Sequence, residues 1–308
     1  MWLPYPDAVE RLGGLPPGLR AETWTGSGPW PDSVGDVELF VVPYLLGPAA
    51  LVPVPQMRSL RVVQTLTAGY DDVRPALPAG VTLCNARGVH DASTAELALA
   101  LVLASLRGVP EFVRAQDAGR WAHLHRPALA DKTVLVVGYG SVGRAVEQRL
   151  TGFEVDVLRV AGRARPDEEV HGASDLPVLL PRADVVVLTT PLDAGTRGLV
   201  DATFLGRMKD GALLVNVARG PVVDTAALLA ELTSGRLRAA LDVTDPEPLP
   251  PDHALWSAPG CLVSPHVGGD SSAFLPRAFR LLAAQLRRFA DGRPLLNVVG
   301  SGADPGVA

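Results

Sequence analysis

Hydrophobic positions divide the chain into two parts with different patterns. Before residue 90, short apolar runs alternate with turns rich in proline, glycine and aspartate, which is typical of β-strands. The clearest of these runs are Leu39–Val42, Leu60–Leu66 and Val81–Cys84. From Thr133 onward the pattern becomes a regular alternation of apolar runs and helical stretches. The chain therefore predicts two α/β domains rather than one.

Six apolar runs in the second part predict the strands of one sheet. They are Val134–Val137, Val155–Val160, Val185–Thr189, Leu213–Val217, Ala239–Val243 and Cys261–Ser264. The runs are continuous rather than alternating, as expected for a parallel sheet that helices cover on both faces. Helical stretches such as Val142–Leu150 and Asp224–Ser234 lie between them. This order predicts a doubly wound dinucleotide-binding domain of the Rossmann type.

Two further helices mark the domain boundaries. Ser93-Thr94-Ala95-Glu96 has the sequence of a capping box and precedes an apolar run to Leu106. We predict a buried helix that begins at Ser93 and joins the two domains. The amphipathic segment Ser271–Ala290 is expected to return to the first domain. The predicted domains are residues 1–92 with 272–308, and residues 93–271.

Composition and charge exclude several classes of protein. The 308 residues carry a net charge of −5, which does not favour binding to a phosphate backbone. No apolar run approaches the ~20 residues of a membrane span, and the N-terminus does not resemble a signal peptide. Two cysteines are too few for a disulfide framework or a metal cluster. We expect a cytoplasmic protein that binds neither nucleic acid nor membrane nor metal.

A glycine-rich turn follows the first strand of the second part. Gly138-Tyr139-Gly140-Ser141-Val142-Gly143 stands between a predicted strand and a predicted helix. In that context the first glycine allows a tight turn, the second a close approach of pyrophosphate, and the third tight helix packing. The N–H groups at the start of the helix favour phosphate binding. A plain βα turn is the alternative.

The next strand lacks the acidic residue that favours NAD. In NAD-binding proteins this residue ends the second strand and accepts hydrogen bonds from the ribose. Here the position is Ala161, and Arg163 and Arg165 follow it. The change predicts that NADP(H) is favoured, with both arginines pairing with a 2′-phosphate, while NAD(H) use stays open. Alternatively, both arginines are solvated loop residues.

Arginine, glutamate and histidine follow three successive predicted strands. Arg219 comes just after Leu213–Val217, Glu247 lies in the proline-rich loop after the next strand, and His266 follows the last one. Ligands of open α/β sheets bind beyond the carboxyl ends of the strands, so these side chains should converge. They predict an acid–base site with an anion-binding cation. Taken singly, each residue has a structural alternative. Arg219 also fits a cation at a helix end, Glu247 a solvated loop charge, and His266 a hydrogen-bonded core histidine.

Five segments in this order carry a family resemblance: Gly138-Tyr139-Gly140-Ser141-Val142-Gly143, Thr190-Pro191-Leu192 with Thr196, Asn216-Val217-Ala218-Arg219-Gly220, Asp242 with Glu247-Pro248, and Pro265-His266-Val267-Gly268-Gly269. Over nearly the whole chain the sequence resembles the D-isomer-specific 2-hydroxyacid dehydrogenases. The loop Gly162–Pro166 is similar to that of the family's NADPH-dependent glyoxylate/hydroxypyruvate reductases. The resemblance implies a smaller, flavodoxin-like substrate domain beside the dinucleotide-binding domain.

The resemblance also implies roles for individual residues. Arg219 would bind the substrate carboxylate, His266 would be the general acid, and Glu247 would orient the histidine ring and stabilise its protonated form. Backbone N–H groups of Ala68 and Gly69 would bind the same carboxylate, although this loop also fits a plain strand-to-turn junction. The implied cofactor-binding residues are Gly138, Tyr139, Gly140, Ser141, Val142, Gly143, Arg163, Arg165, Thr190, Pro191, Thr196, Val217, Ala218, Asp242 and Gly268. Among these, Asp242 would meet the nicotinamide carboxamide.

The leading hypothesis is a reductase that converts a small 2-oxo acid, such as glyoxylate or hydroxypyruvate, to the D-2-hydroxy acid. Two alternatives stay open: a 3-phosphoglycerate dehydrogenase-like enzyme and a non-catalytic dinucleotide sensor. Arg87 and His90 either widen anion recognition or simply anchor a loop. In the family, the region that corresponds to Trp121 and His123-Leu124-His125 helps to form a dimer; the alternative is a plain surface connector.

Overall fold

The computed structural model of the protein describes residues 1–301, and the chain folds into two compact units. The first unit comprises Met1–His90 and the described residues from Ser272 onward, and the second comprises Asp91–Ser271. The last part of the predicted first domain, residues 302–308, lies outside the described residues. Each unit contains a largely parallel sheet with helices, which confirms the predicted α/β class.

The strands, in chain order, are β1 (Trp2–Leu3), β2 (Glu22–Thr23), β3 (Leu39–Val41), β4 (Val62–Gln64), β5 (Thr82–Cys84), β6 (Thr133–Val137), β7 (Asp156–Ala161), β8 (Val170–Gly172), β9 (Val185–Leu188), β10 (Leu213–Asn216), β11 (Arg238–Leu241), β12 (Cys261–Val263) and β13 (Val298–Ser301). The α-helices are α1 (Ala8–Arg11), α2 (Asp91–Arg107), α3 (Val109–Asp117), α4 (Ser141–Leu150), α5 (Leu176–Leu179), α6 (Ala202–Arg207), α7 (Thr225–Thr233) and α8 (Phe274–Ala290).

The first unit has a six-stranded sheet in the order β13-β5-β4-β3-β1-β2. Only β13, which pairs with β5, is antiparallel within the described residues. The amphipathic helix α8 buries Phe274, Ala278, Leu282 and Leu286 against one face of this sheet, in agreement with its predicted return. Sequence analysis missed β1 and β2, because two residues are too few to establish a strand pattern.

The second unit has a seven-stranded parallel sheet in the order β12-β11-β10-β9-β6-β7-β8. The chain moves outward from β6 to β8 and then crosses to β9 on the other side of β6, so the strand order reverses at β6. The six predicted strands are present, and β8 is an additional edge strand of three residues. Since all strands run in the same direction, the loops after their carboxyl ends meet at one edge of the sheet.

Helix α2 differs from its predicted start. It begins at Asp91, so Ser93 lies buried inside the first turn and the predicted capping box is wrong. The acidic Asp91 now occupies the first turn, where negative charge is favoured. The helix belongs wholly to the second unit, where Ala98, Val102 and other apolar residues pack in the core under the sheet. Within residues 1–301 no single helix has the length and apolarity to cross a membrane; the pair α2–α3, bent by 66°, passes that test only jointly.

Candidate functional site

The glycine-rich turn connects β6 to α4 and has two kinds of glycine. Gly138 has a positive φ of 104°, and a Cβ there would lie 2.4 Å from the backbone nitrogen of Thr190. The protein fold itself therefore requires glycine at this position. At Gly140, the residue before α4, a Cβ would have only the Gly138 carbonyl near it, at 4.0 Å. This open space at the start of a helix fits a bound phosphate group of a dinucleotide.

The end of β7 lies beside this turn. The backbone N–H groups of Gly138 and Tyr139 both donate to the Val160 carbonyl, at 2.9 and 2.8 Å. Ala161 is the last residue of β7, so an apolar methyl group stands where NAD-binding proteins place a carboxylate. Of the two arginines singled out from the sequence, Arg163 is exposed in the loop, whereas Arg165 donates from Nη2 to the Tyr139 carbonyl at 2.8 Å.

Three arginines surround the ring of Tyr139, and sequence analysis named only one of them. The guanidinium carbons of Arg144, Arg159 and Arg165 lie 5.0, 5.9 and 5.9 Å from the ring centroid. Arg159 donates from Nε and Nη2 to one oxygen of Glu147, at 2.8 and 2.5 Å. The Tyr139 hydroxyl donates to the other oxygen of Glu147. The position of Arg144 directly after Gly143 was the signal that could have revealed it.

The loop after β10 presents Arg219 through a turn that Asn216 shapes. The buried Asn216 side chain donates to the Arg219 carbonyl at 3.0 Å and accepts from the Ala218 N–H at 3.0 Å. Arg219 Nη1 also donates to the Ala218 carbonyl at 2.8 Å. Val217 and Ala218, both predicted to line the cofactor, are buried in this turn. Asn216 was quoted in the sequence motif, but its function in forming this turn was not anticipated.

Glu247 and His266 form a hydrogen-bonded pair. Glu247 Oε1 lies 2.5 Å from His266 Nδ1, and both side chains are about 40% exposed (39% and 40%). Burial alone would favour the neutral form of Glu247 and raise its pKa. Hydrogen bonds from His266 and from the Thr244 backbone, together with the charges of His266 and Arg219, have the larger combined effect and favour the carboxylate. The pKa of Glu247 is therefore lowered. The three charged side chains predicted from separate loops are thus close enough to interact.

Asp242 holds the loop that carries His266. Its buried carboxylate accepts the Ser264 hydroxyl at 2.7 Å and the Val267 N–H at 3.0 Å on Oδ1, and the Gly268 N–H at 2.9 Å on Oδ2. Its backbone carbonyl accepts the His266 N–H at 2.8 Å. His266 has a positive φ of 53°, so this loop is tightly constrained. The nicotinamide contact expected for Asp242 stays a prediction; the structure shows that this carboxylate positions the histidine loop.

The loop after β9 contains the remaining predicted cofactor residues. Thr190 is buried at its start, next to Gly138. The Thr196 hydroxyl donates to the Pro191 carbonyl at 2.7 Å and accepts from the Asp193 N–H at 2.9 Å. Thr196 therefore closes its own loop, and its contact with a cofactor stays a prediction.

In the first unit, the Ala68–Gly69 loop is fixed through its carbonyl groups. The Asn85 side chain donates to the Ala68 carbonyl at 2.7 Å, and the Thr67 hydroxyl donates to the Gly69 carbonyl at 2.7 Å. His90 is buried, lies 2.7 Å through Nε2 from the Leu66 carbonyl, and stacks on Phe274. These contacts support the loop-anchoring interpretation of His90, and wider anion recognition by this residue stays a prediction. Arg87 is exposed.

Neither cysteine has the properties of a nucleophile. Both are free thiols, and burial raises the pKa of Cys84 to about 11 and that of Cys261 to about 12. Such thiols remain protonated near neutral pH.

A known protein family matches more than half of this chain. The family described as D-isomer specific 2-hydroxyacid dehydrogenase, NAD binding domain, matches residues 99–268. The human glyoxylate reductase/hydroxypyruvate reductase is 33% identical over 249 residues, which are 77% of this chain and 76% of that protein. The crystal structure of a D-isomer specific 2-hydroxyacid dehydrogenase from Xanthobacter autotrophicus Py2, in complex with NADPH and MES, is 34% identical. The structural match covers 96% of this chain and 94% of the X. autotrophicus chain, with a TM-score of 0.81.

A second kind of relative bears on one of the alternatives. The D-3-phosphoglycerate dehydrogenase of Archaeoglobus fulgidus is 32% identical over 250 residues. These residues are 79% of this chain but only 47% of that protein.

Proposed function

The chain belongs to the D-isomer-specific 2-hydroxyacid dehydrogenase family, and from this premise we propose that it reduces a small 2-oxo acid, such as glyoxylate or hydroxypyruvate, to the D-2-hydroxy acid. The observation that carries the proposal is the Glu247–His266 pair at 2.5 Å, with Arg219 close enough to act on Glu247 electrostatically. A hydrogen-bonded carboxylate–imidazole pair is the arrangement of an oriented acid–base catalyst.

Each side chain has a defined task in this reaction. Bound NADPH or NADH would supply the hydride to the 2-oxo carbon. Arg219 binds the substrate carboxylate with its planar guanidinium and favours negative charge on the carbonyl oxygen. Glu247 holds Nδ1 of His266, so that Nε2 donates the proton to the developing alkoxide. Glu247 also balances the positive charge of the imidazolium before that proton leaves.

The residues that would hold the dinucleotide lie at the same sheet edge. The open space at Gly140 and the N–H groups at the start of α4 suit the pyrophosphate. Tyr139 lies in the turn after β6, and α4 begins with Ser141, Val142 and Gly143. The loops after β9, β10 and β12 contain Thr190, Pro191, Val217, Ala218 and Gly268, and Asp242 fixes the last of these loops.

We further propose that the chain favours NADP(H) over NAD(H). Ala161 removes the carboxylate that would repel a 2′-phosphate, and arginines follow it. The relative from X. autotrophicus was crystallised with NADPH, which supports the same preference. Michaelis constants measured for both nucleotides test this step; a value for NADH equal to that for NADPH would contradict the preference without affecting the reaction itself.

The experiment that tests the function is the loss of reduced-nicotinamide absorbance. Glyoxylate, hydroxypyruvate, pyruvate and phenylpyruvate are offered in turn with NADPH and then with NADH. We expect rapid oxidation with at least one acid, and oxidation at least about 10²-fold slower with the His266→Ala variant. Tight nucleotide binding without turnover on any acid would contradict the reductase and support a dinucleotide sensor. Phosphohydroxypyruvate as the preferred substrate would instead support the phosphoglycerate dehydrogenase-like alternative that one relative suggests.

A homodimer is part of the proposal, as is a cytoplasmic location. Trp121 is 97% exposed, and Leu124 and the α3 residues Phe112 and Val113 are also exposed. Such a set of exposed apolar side chains is typical of an interface. Sedimentation should give twice the chain mass for the wild type and a larger monomer fraction for Trp121→Ser. A wild type that sediments as a monomer would contradict the dimer.

A further inference from the structure

An ion-pair cluster beside the glycine-rich turn has no task in the reaction described above. It consists of Arg144, Arg165 and Glu168, and we call it the Glu168 cluster. Arg144 Nη2 lies 2.5 Å from Glu168 Oε2, and Arg165 Nε lies 3.2 Å from the same oxygen. Two guanidinium groups therefore converge on one carboxylate oxygen.

The cluster is located where the ribose of a dinucleotide is expected. Arg165 also donates to the carbonyl of Tyr139, a residue of the turn, and Arg144 lies over the Tyr139 ring. The glycine-rich turn itself donates two backbone hydrogen bonds to the Val160 carbonyl near the end of β7. In this fold the strand end next to the glycine-rich turn is the position that distinguishes the 2′-hydroxyl from the 2′-phosphate. The two arginines therefore lie beside the position expected for the group by which NADP(H) and NAD(H) differ.

We propose that Arg144 and Arg165 form the binding site for a ribose 2′-phosphate, and that Glu168 occupies this site until the phosphate displaces it. The proposal rests on the proposed use of NADP(H) and adds two residues that sequence analysis did not name, Arg144 and Glu168. Arg159, in contrast, is committed to Glu147 through two nitrogens and is only 24% exposed. Arg144 and Arg165 share the Glu168 carboxylate, so the geometry pairs these two arginines, and the contact of Arg163 with a 2′-phosphate stays a prediction.

The exchange requires little movement and little energy. Backbone bonds between Arg165 and Val170 close a short loop, at 2.8 and 3.1 Å, and Glu168 lies within it. Its side chain is 42% exposed, so it can rotate into solvent while the backbone stays in place. Exposed ion pairs contribute little to stability. A phosphate offers three oxygens to the two guanidinium groups, whereas both arginines contact a single oxygen of Glu168, so the exchange allows more charge-assisted bonds.

The proposal predicts that removing a positive charge from the cluster weakens nucleotide binding, whereas removing the negative charge strengthens it. We expect Arg144→Gln to weaken binding of adenosine 2′,5′-bisphosphate about tenfold, because charge-assisted bonds are lost. Glu168→Gln should tighten the same binding about three- to tenfold, because a competing anion is removed. Neither variant should change the affinity for adenosine 5′-monophosphate, which lacks the 2′-phosphate.

Titration calorimetry of the full chain with these two nucleotides is the test. Glu169→Gln is the matched control for Glu168, since this neighbouring carboxylate contacts Arg159 instead. Arg149→Gln is the control for Arg144, since Arg149 lies in the last turn of α4 and contacts Glu96. Both controls should bind both nucleotides as the wild type does.

Weaker binding of the bisphosphate by Glu168→Gln would overturn the proposal and show that Glu168 positions the arginines. An unchanged affinity in Arg144→Gln would overturn it as well. These failures differ from failure of the proposed function. A chain that binds the monophosphate but gains nothing from the 2′-phosphate can still be an NADH-dependent reductase, whereas a chain that binds neither nucleotide is not a dinucleotide-dependent enzyme.

Discussion

Two regions at the carboxyl edge of the sheet in the second unit hold their charges in different ways. In the region after β10–β12, Glu247 and His266 are 39% and 40% exposed. In the region after β6 and β7, Arg165 and Glu168 are 37% and 42% exposed. Exposure therefore does not distinguish the two regions. What differs is how the side chains are anchored.

The first region is fixed through the backbone. Asp242 binds two backbone N–H groups and a hydroxyl of the histidine loop, and Asn216 closes the turn that carries Arg219. Glu168, in contrast, is held in its cluster by ion pairs between side chains. Proton transfer requires a donor in a fixed position, whereas an anion site must release one partner to accept another. The anchoring of each region matches its proposed task.

The largest expected effect comes from a methyl group placed in the fixed region. A Cβ on Gly220 would lie 1.8 Å from the Thr244 carbonyl oxygen, so Gly220→Ala must displace the loop that leads to Glu247. We expect a loss of about 2–4 kcal/mol in the free energy of unfolding, together with most of the activity. Urea denaturation measures the loss.

Gly140→Ala is the matched control, because a Cβ at Gly140 meets only one atom, at 4.0 Å. This variant should unfold as the wild type does, yet bind the dinucleotide more weakly, because the methyl group fills the space assigned to phosphate. Equal stability of Gly220→Ala and Gly140→Ala would contradict the description of the first region as rigidly packed.

A smaller effect is expected from Asp242→Asn. The new amide group can keep the Ser264 and Val267 bonds but then directs its NH2 group at the Gly268 N–H, which loses its acceptor. We expect about 1–3 kcal/mol of destabilisation and a lower kcat, because the loop that places His266 shifts. Asp193→Asn is a control of the same chemistry in an exposed loop. A normal kcat in Asp242→Asn would show that Asp242 does not position His266.

The smallest effect concerns acid stability. Burial opposes ionisation of Glu147, but bonds from Arg159 and Tyr139 outweigh it, so the pKa of Glu147, like that of Glu247, is lowered from 4.5. A carboxyl group whose pKa is lowered on folding stabilises the protein above its unfolded pKa, and this contribution is lost as the pH falls through the folded pKa. Glu147→Gln and Glu247→Gln should therefore be less stable than the wild type at pH 7.

Denaturation at several pH values tests this prediction. The stability differences between the variants and the wild type should shrink as the pH falls below about 4.5. The loss at pH 7 should be larger for Glu147→Gln, about 1 kcal/mol, because Glu147 is only 20% exposed and solvent screens it less than Glu247. Differences that grow toward low pH would contradict the assigned direction of both pKa shifts.

Sequence analysis predicted what depends on local pattern and on the geometry of parallel strands. The strands of the second sheet, the glycine-rich turn and the convergence of Glu247 with His266 follow from periodicity and from the common edge of parallel strands. The start of α2 was wrong by two residues, because Asp91 and Ser93 are both compatible with the first turn of a helix.

The roles that sequence analysis missed depend on contacts between residues that are far apart along the chain. Asp242 binds a loop that begins 22 residues later, and Arg159 reaches Glu147 from the next strand. Arg144 was overlooked because its partner, Glu168, lies 24 residues away along the chain. Such pairs depend on tertiary structure, so their function is visible only when the folded chain brings both members together.

The most direct measurement of the central claim is the turnover number of His266→Ala and Glu247→Gln on the best 2-oxo acid, with the nucleotide Kd determined on the same preparations. We predict a kcat about 10²–10⁴-fold lower for His266→Ala, a smaller loss for Glu247→Gln, and an unchanged Kd for both. A His266→Ala variant that keeps the wild-type kcat would contradict the assignment of His266 as the proton donor.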